Sequence, residues 1–406
     1  MVLKDPASIE SQQEAEDELF AICIGIEVAA FSIIAERLGK LQGESWRDIY
    51  AAMPQDLARI REAVDSGREQ ALNASQNILE GMAASNDGWM SYYYAAQGVE
   101  QTTFKDNPKL QAALKEQLDK AQEVIRAEVN TSVIGIVDKD KVFHNIEDAY
   151  KMIVSDAASA MTSGEAYFDS VVAEATETLA DCGLKIQYPN TYTVRESQGK
   201  GKPVKIITKT RETPLVRNLY SAVTSNVMNA YRVAMTDMRF IQGEEFGADA
   251  VRVSAHALCA PDHLPYQGGI YTKDEWKSIQ GSLSRQFVYG SNCGHTVSPT
   301  IYSIAMKEYD KAYIDRLNSM STKRVSFKGL SGEKLTMTRY EASQYQRKLE
   351  TQVRKSKETA YLLEIEEKSA ADAAKAAREY TAAYDRISKE AGLSTRPDRM
   401  KIYTSD

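Results

Sequence analysis

VRVSAHALCAPDHLPYQGG, residues 251–269, is the stretch that most constrains the fold of this chain. It opens with an apolar–polar alternation that is typical of a short β-strand. Two histidines and a cysteine follow, and the stretch ends in a glycine pair that is typical of a tight turn. A second stretch, GSNCGH at residues 290–295, adds a cysteine and a histidine. Three of the four histidines and two of the four cysteines of the chain therefore lie in these two segments.

This His/Cys cluster consists of side chains that bind metals or carry out acid–base and nucleophilic chemistry near neutral pH. A structural zinc site requires four nitrogen or sulfur ligands in a tetrahedral arrangement. Five candidates are present: His256, Cys259, His263, Cys293 and His295. A second interpretation makes Cys293 a nucleophile activated by one of the histidines, with Asp262 orienting the base. In a third, the cluster is structural, and its side chains hydrogen-bond a small, loop-rich fold.

The composition is ordinary for a soluble protein of 406 residues, with 43% hydrophobic residues and a net charge of −7. This acidic balance argues against a protein that coats nucleic acid, but it does not exclude a local basic arm. Four cysteines are too few for a disulfide scaffold, which favours a reducing compartment. The N-terminal residues lack the basic and apolar regions of a secretion signal, so we expect none.

Residues 1–184 are predicted to form a long, all-helical region that interacts with other proteins. Proline is scarce there, and apolar residues recur at intervals of three and four. The most apolar run, LFAICIGIEVAAFSII at residues 19–34, carries Glu27 and is short for a membrane span of about 20 residues. We interpret it as a buried bundle helix and expect no stable membrane insertion.

Residues 185–305 are predicted to form a small mixed α/β module. Two β-like runs, 185–194 and 204–210, flank a Gly-rich turn and predict a hairpin. The hairpin is rich in lysine and arginine, so it is either a solvated surface or an arm that contacts the DNA backbone or an acidic partner. Its candidate contacts are Lys200, Lys202, Lys205, Lys209 and Arg211. A helix over 218–241 and a strand over 250–255 are predicted to follow.

Residues 306–406 are predicted to form a basic, helical tail. A narrow apolar stripe, like a coiled-coil seam, runs through Ala373, Ala377, Tyr380, Tyr384 and Ile387. This stripe predicts either an intramolecular pair of helices or a coil that faces a partner, and Gly392-Leu393 is a plausible helix stop. The predicted fold class is α+β, mostly α, with a long helical N-terminal half, a small mixed module and a helical tail.

An ordered set of residues resembles the phage minor capsid protein 2 family, part of the head-morphogenesis group related to the Mu F protein. This set comprises His256, Pro261, His263, Gln267, Gly268, Asn292, Cys293 and His295. Patterns in the helical front half and in the tail also resemble the family, so the similarity covers nearly the whole chain. The family usually carries arginines where this chain has Ala260 and Gly294. A small residue is common where this chain has Cys259, so a metal site that uses it would be particular to this chain.

The resemblance implies a structural virion protein present at low copy rather than an enzyme. It implies association with the portal protein and other head proteins at the capsid interior, and contact with packaged DNA. It also implies a role in head assembly and in DNA packaging or ejection, with assembly in the host bacterial cytoplasm. Two alternatives remain open: a zinc- or cysteine-dependent enzyme or toxin-like domain carried in the particle, and a DNA-binding module.

Overall fold

The computed structural model describes most of the chain, namely residues 8–41, 44–163, 168–189, 191–196, 205–283, 287–288, 294–303, 305 and 309–404. Helices dominate these ranges, and the strands form four small antiparallel sheets. The predicted fold class, α+β and mostly α, is confirmed.

The chain begins with three long helices, α1 (Ile9–Lys40), α2 (Trp46–Gln97) and α3 (Pro108–Glu128). Each helix starts after a polar residue whose side chain accepts hydrogen bonds from the first-turn N–H groups, namely Ser8, Ser45 and Asn107. The apolar stripe predicted for α2 is buried at Ile60 and Val64. Helix start signals and periodicity therefore determine this part of the fold.

Two short strands interrupt the helical front half. Strands β1 (Ile134–Val137) and β2 (Phe143–Asn145) pair, and helices α4 (Ile146–Ser163) and α5 (Phe168–Cys182) follow. The prediction of an all-helical region over 1–184 is wrong at this point. Strands of three or four residues are too short to give a periodic signal, although Ile134 and Ile136 of β1 are fully buried.

Four strands follow, β3 (Lys185–Tyr188), β4 (Thr191–Glu196), β5 (Lys205–Thr210) and β6 (Leu215–Asn218). β4 and β5 pair from Thr191 with Thr210 through Glu196 with Lys205, which confirms the predicted hairpin. β3 instead joins β1 and β6 in a sheet of order β2-β1-β3-β6. The strand predicted over 185–194 is thus divided near Pro189, which has no N–H for a ladder hydrogen bond.

The module around the His/Cys cluster contains α6 (Leu219–Glu245), β7 (Ala250–Val253), β8 (Ile270–Thr272), α7 (Lys273–Ser282) and β9 (Val297–Thr300). The predicted helix over 218–241 and the predicted strand before His256 are confirmed. β7 is the central strand of the sheet β8-β7-β9. This sheet lies on α6, where Gly243 is so close to Pro299 that a β-carbon on Gly243 would lie 2.5 Å from the proline ring.

The tail contains α8 (Lys311–Thr322), β10 (Arg324–Lys328), β11 (Lys334–Thr338), α9 (Arg339–Ile365) and α10 (Ala371–Ala391). The prediction of an uninterrupted helical tail is wrong at β10 and β11. These strands pair in a hairpin whose apolar residues alternate with polar ones: Phe327 is buried, and Val325, Leu335 and Met337 pack partly buried against the same core. This alternation is typical of a strand, and the helical prediction for the tail overlooked it.

The apolar stripe of α10 packs against α9 of the same chain. Tyr384 and Ile387 of α10 share a hydrophobic core with Leu349 and Val353 of α9. The intramolecular interpretation is therefore correct for this stripe. α10 ends at Gly392, which has a φ of 63° and a left-handed conformation that glycine adopts readily, as the predicted helix stop requires.

The largest hydrophobic core draws on α1 to α6 and on Leu362 of α9, so it crosses the predicted boundary at residue 184. α1 packs against α2, α6 and α9. By length and composition, Ser11–Lys40 is the one helix among the described residues that could cross a membrane, and 67% of its apolar window is buried inside the protein. The packing supports its interpretation as a bundle helix. The boundaries after 184 and 305 stay predictions.

Candidate functional site

The pairing of β7 with β9 brings the two halves of the His/Cys cluster together. Val253 at the end of β7 pairs with Val297 at the start of β9. Beyond this pair, the Ser254 N–H donates to the Thr296 carbonyl at 2.9 Å, and the Thr296 N–H donates to Ser254 Oγ at 2.9 Å. The loop that follows β7 therefore lies against the residues that precede β9.

Three of the five predicted metal ligands meet in this loop pair: His256, Cys259 and His295. Their candidate ligand atoms all lie within 4.8 Å of one another. The Cys259 Sγ and His295 Nε2 atoms are 3.5 Å apart, and the ring centroids of His256 and His295 are 4.3 Å apart. Cys259 and His295 are buried, while His256 is partly exposed. We call these residues the His256–Cys259–His295 triad.

The remaining cluster residues have different surroundings. His263 is buried and stacks on Phe287, with ring centroids 4.1 Å apart, and it does not belong to the triad. Pro261 is exposed at the start of the turn that carries His263. Asn292 and Cys293 lie outside the described residues, so the roles predicted for Cys293, as a ligand or as a nucleophile, stay predictions.

Gln267 connects the cluster to α8. The His256 N–H donates to Gln267 Oε1 at 3.0 Å, and this oxygen lies 3.3 Å from His295 Nε2. Gln267 Nε2 in turn donates to Asn318 Oδ1 at 2.6 Å. Sequence reasoning did not identify Asn318, because a single asparagine in a polar helix carries no signal of a buried partner.

Gly268 forms the turn that follows. It has a φ of 72°, and a β-carbon on it would lie 2.2 Å from Ile314 Cδ1 on α8. Both the backbone conformation and the close approach of α8 therefore require glycine. Leu258, which precedes Cys259, also has a positive φ, of 59°, and this conformation is costly for a residue with a side chain. The loop thus holds Cys259 in place at a cost in backbone energy.

Burial favours the neutral form of the triad histidines. It lowers the pKa of His256 below the ordinary imidazole value, and it lowers the pKa of His295 further, with added effects from the neighbouring histidines. His256 Nδ1 lies 2.9 Å from the Ala257 carbonyl, which can only accept a hydrogen bond. The proton of the neutral ring is therefore on Nδ1, and Nε2 carries a lone pair. This Nε2 atom is buried, and no described residue gives it a hydrogen-bond partner.

Arg239 anchors the module to the helical bundle, although nothing in the sequence marked it as a buried residue. Its side chain is fully buried on α6. Arg239 Nε donates to Asn86 Oδ1 on α2, and Nη1 donates to Ser298 Oγ on β9, both at 2.8 Å. Its guanidinium carbon also lies 4.1 Å from the ring centre of Trp89. One side chain thus joins two helices and the sheet that carries the triad.

Some of the predicted nucleic-acid contacts lie within the described residues and others lie outside them. Lys205 and Lys209 lie in β5, and Arg211 directly follows it. Lys209 is exposed. Lys200 and Lys202 lie outside the described residues. The structure therefore places part of this basic arm on a two-stranded hairpin, and DNA contact stays a prediction.

The match to a known family spans most of the chain. A family model described as phage minor capsid protein 2 matches residues 42–388 of the 406. The matched range includes the triad and the helices on either side of its module. The fold and the match together define a structural protein of bacteriophage virions. The chain belongs to the phage minor capsid protein 2 family, as its resemblance predicted. No curated protein and no solved structure matches it.

Proposed function

We propose that this protein is a low-copy component of the phage head that associates with the portal protein at the capsid interior and acts in head assembly and in DNA packaging or ejection. The family match over residues 42–388 carries this proposal. A capsid family implies a place in the virion and contact with other head proteins. The contact with the portal protein, the interior position and the role in packaging are proposals that go beyond the family match.

The long helices of the front half support a role in protein–protein contact. α2 has 52 residues, which corresponds to a length of about 78 Å at about 1.5 Å per residue. Tyr50 and Tyr92, near its two ends, are exposed by 56% and 64%. Exposed tyrosines are enriched in protein interfaces because they combine apolar area with a polar group. We propose that α2 supplies part of the surface that contacts the portal protein.

We further propose that the protein has no catalytic role. The family is structural, and Cys259 and His295 are buried where a substrate does not reach them. Their burial suits a group that stabilises the loop pair. Cys293, the residue on which the enzymatic alternative depends, has no hydrolase signature around it in the sequence.

Protease treatment of particles tests the proposed position. In intact particles the chain should remain uncut, because the capsid shell excludes the protease. After the particles are opened it should be cleaved at exposed segments. Co-expression with the portal protein alone should yield a complex, and the major capsid protein serves as the comparison. Cleavage in intact particles would contradict the proposed interior position, and the lack of a portal complex would contradict the proposed portal contact.

Neutralising the basic arm should weaken DNA binding and reduce its salt dependence. Each phosphate contact contributes about −0.9 to the slope of log affinity against log salt. If all five side chains contact phosphates, their replacement by glutamine should make the slope shallower by about 4–5. The measurement is a titration of duplex DNA at several salt concentrations. The five replaced residues are Lys200, Lys202, Lys205, Lys209 and Arg211.

A matched control removes exposed lysines from a helix. Lys115 and Lys120 on α3 have side chains exposed by 71% and 58%. Their replacement by glutamine should leave DNA binding nearly unchanged. Equal losses per charge removed in the arm variant and in the α3 variant would show that binding depends on overall charge, and the proposed DNA contact would then be abandoned.

A further inference from the structure

We propose that His256, Cys259 and His295 supply three of the four ligands of a zinc ion that fastens the loop after β7 to the residues before β9. This site goes beyond the proposed role in the phage head and does not depend on it. The ligand chemistry fits, because neutral imidazole and thiolate are the donors that zinc binds in structural sites. The three residues are held in place by backbone pairing of β7 with β9, so they meet without any rearrangement of the chain.

The distance between the Cys259 sulfur and the His295 nitrogen fits a tetrahedral zinc site. With Zn–S of about 2.3 Å and Zn–N of about 2.0–2.1 Å, a sulfur and a nitrogen on the same ion lie about 3.6 Å apart. The Cys259 Sγ and His295 Nε2 atoms are 3.5 Å apart. The candidate ligand atoms of all three residues lie within 4.8 Å of one another.

The tautomer of His256 is the one that a metal site requires. Zinc-bound histidines commonly donate their second ring N–H to a carbonyl or carboxylate, which orients the ring and fixes the lone pair on the other nitrogen. Here Nδ1 lies 2.9 Å from the Ala257 carbonyl. The opposite atom, Nε2, is buried, and the described residues offer it no hydrogen-bond partner. A buried lone pair without a partner costs free energy unless something binds it, and a cation fills this need.

The module also has few other sources of stability. Its own hydrophobic core has five buried side chains among the described residues, namely Val251, Val253, Phe287, Val288 and Val297. Small modules with cores of this size commonly gain stability from a structural metal or a disulfide. A zinc ion would link Cys259 to His295 across 36 residues of sequence and so restrict the unfolded chain as well as the folded loop.

A metal-free hydrogen-bonded arrangement is the competing account. In it, His295 Nε2 either accepts from the Cys259 thiol at 3.5 Å or donates to Gln267 Oε1 at 3.3 Å. Neither bond uses His256 Nε2, so this account leaves the buried lone pair unsatisfied. In the zinc-bound state Gln267 Oε1 keeps its bond from the His256 N–H, and Cys259 is a thiolate. The two accounts therefore differ in whether the protein binds a metal and in whether His256 contributes a ligand to it.

The first test measures metal content. The full-length chain, purified, incubated with zinc chloride and dialysed, should retain one zinc per chain. His256→Gln and Cys259→Ala should each reduce the bound zinc at least tenfold after the same dialysis. The matched control is Cys182→Ser, since Cys182 is half-buried and lies outside the triad, and it should retain the full amount. Circular dichroism establishes that each variant is folded.

The second test reports the ligands directly and stays informative if Cys259→Ala folds poorly. Cobalt(II) in place of zinc should give a thiolate-to-cobalt charge-transfer band and the visible bands of a tetrahedral site. His256→Gln, which leaves the thiol in place, should weaken or shift these bands. A chelator should lower the melting temperature of the parent chain and leave that of His256→Gln unchanged. Absence of retained zinc, or zinc retention unaffected by either triad variant, would overturn the assignment.

Discussion

Arg239→Ala should lower the free energy of unfolding by roughly 3–5 kcal/mol, because it removes a large buried side chain and leaves its hydrogen-bond partners buried. Asn86 and Ser298 would lose their bonds to the guanidinium, and Trp89 would lose its stacked cation. The measurement is denaturant unfolding of the full-length chain. We expect both the module that carries the triad and the helical bundle to lose stability, since Arg239 joins α2 and α6 to β9.

Arg61→Ala provides the comparison. Its side chain is 52% exposed and pairs with Glu147 on the surface. Exposed pairs contribute about 0–1 kcal/mol, so this variant should be nearly as stable as the parent. Arg239→Lys should also be destabilised, because lysine cannot reproduce two directed bonds and a stacked plane. Similar stabilities for Arg239→Ala and Arg61→Ala would show that the module is not anchored through Arg239.

Glu358→Gln should stabilise the protein at pH 8, and the gain should disappear as the pH falls. Glu358 lies on α9, is fully buried and lies beside Glu27 of α1. Burial and the charge of Glu27 raise its pKa well above the ordinary value of 4.5, and the charges of Arg354 and Lys355 only partly offset this. Two carboxyl groups that share a hydrogen bond need a proton between them, and glutamine supplies an N–H donor permanently.

The sign of the pH dependence follows from the raised pKa. Above pH 4.5 the unfolded chain releases the Glu358 proton while the folded chain keeps it, so the folded state binds more protons. The contribution of Glu358 to stability is therefore complete below pH 4.5 and is lost as the pH rises toward the folded-state pKa. Each unit by which a pKa is raised corresponds to about 1.4 kcal/mol. At pH 8 we expect a gain larger than the roughly 0.5 kcal/mol typical of surface substitutions.

Glu364→Gln is the matched control on the same helix. Glu364 is exposed, so its replacement should change the unfolding free energy little at either pH. The measurement compares the two variants and the parent by denaturant unfolding at pH 5 and pH 8. A Glu358→Gln chain that is less stable than the parent at pH 8 would contradict the proposed proton between Glu27 and Glu358.

The fold was predictable where apolar periodicity extends over several helical turns. The predicted stripe of α10 buries Ala377, Tyr384 and Ile387 and leaves Ala373 and Tyr380 partly exposed, and the stop at Gly392 follows from the conformational freedom of glycine. The short strands β1 and β2 were missed because three or four residues give little periodic signal, whereas β10 and β11 were missed although RVSFK and KLTMT alternate, because the segment around them was interpreted as helical. Their pairing depends on partners elsewhere in the chain, as when β1 pairs with β3.

The candidate site was predictable in its residue types and only partly in its geometry. Spacing alone indicated five candidate ligands, whereas among the described residues the pairing of β7 with β9 brings His256, Cys259 and His295 together and leaves His263 stacked on Phe287. The supporting residues carried no signal. Arg239 lies next to an apolar stripe, where an arginine usually extends to solvent, and its burial depends on α2 and β9 meeting α6.

Mass spectrometry of purified phage particles tests the central claim most directly, with samples taken at each stage of assembly. If the protein is a minor capsid component, its peptides should be present in the heads at far fewer copies than those of the major capsid protein. The ratio of these peptides to those of the major capsid protein should stay constant when the particles are purified further by density, which removes loosely bound contaminants. Absence of the chain from particles at every stage of assembly would contradict the account.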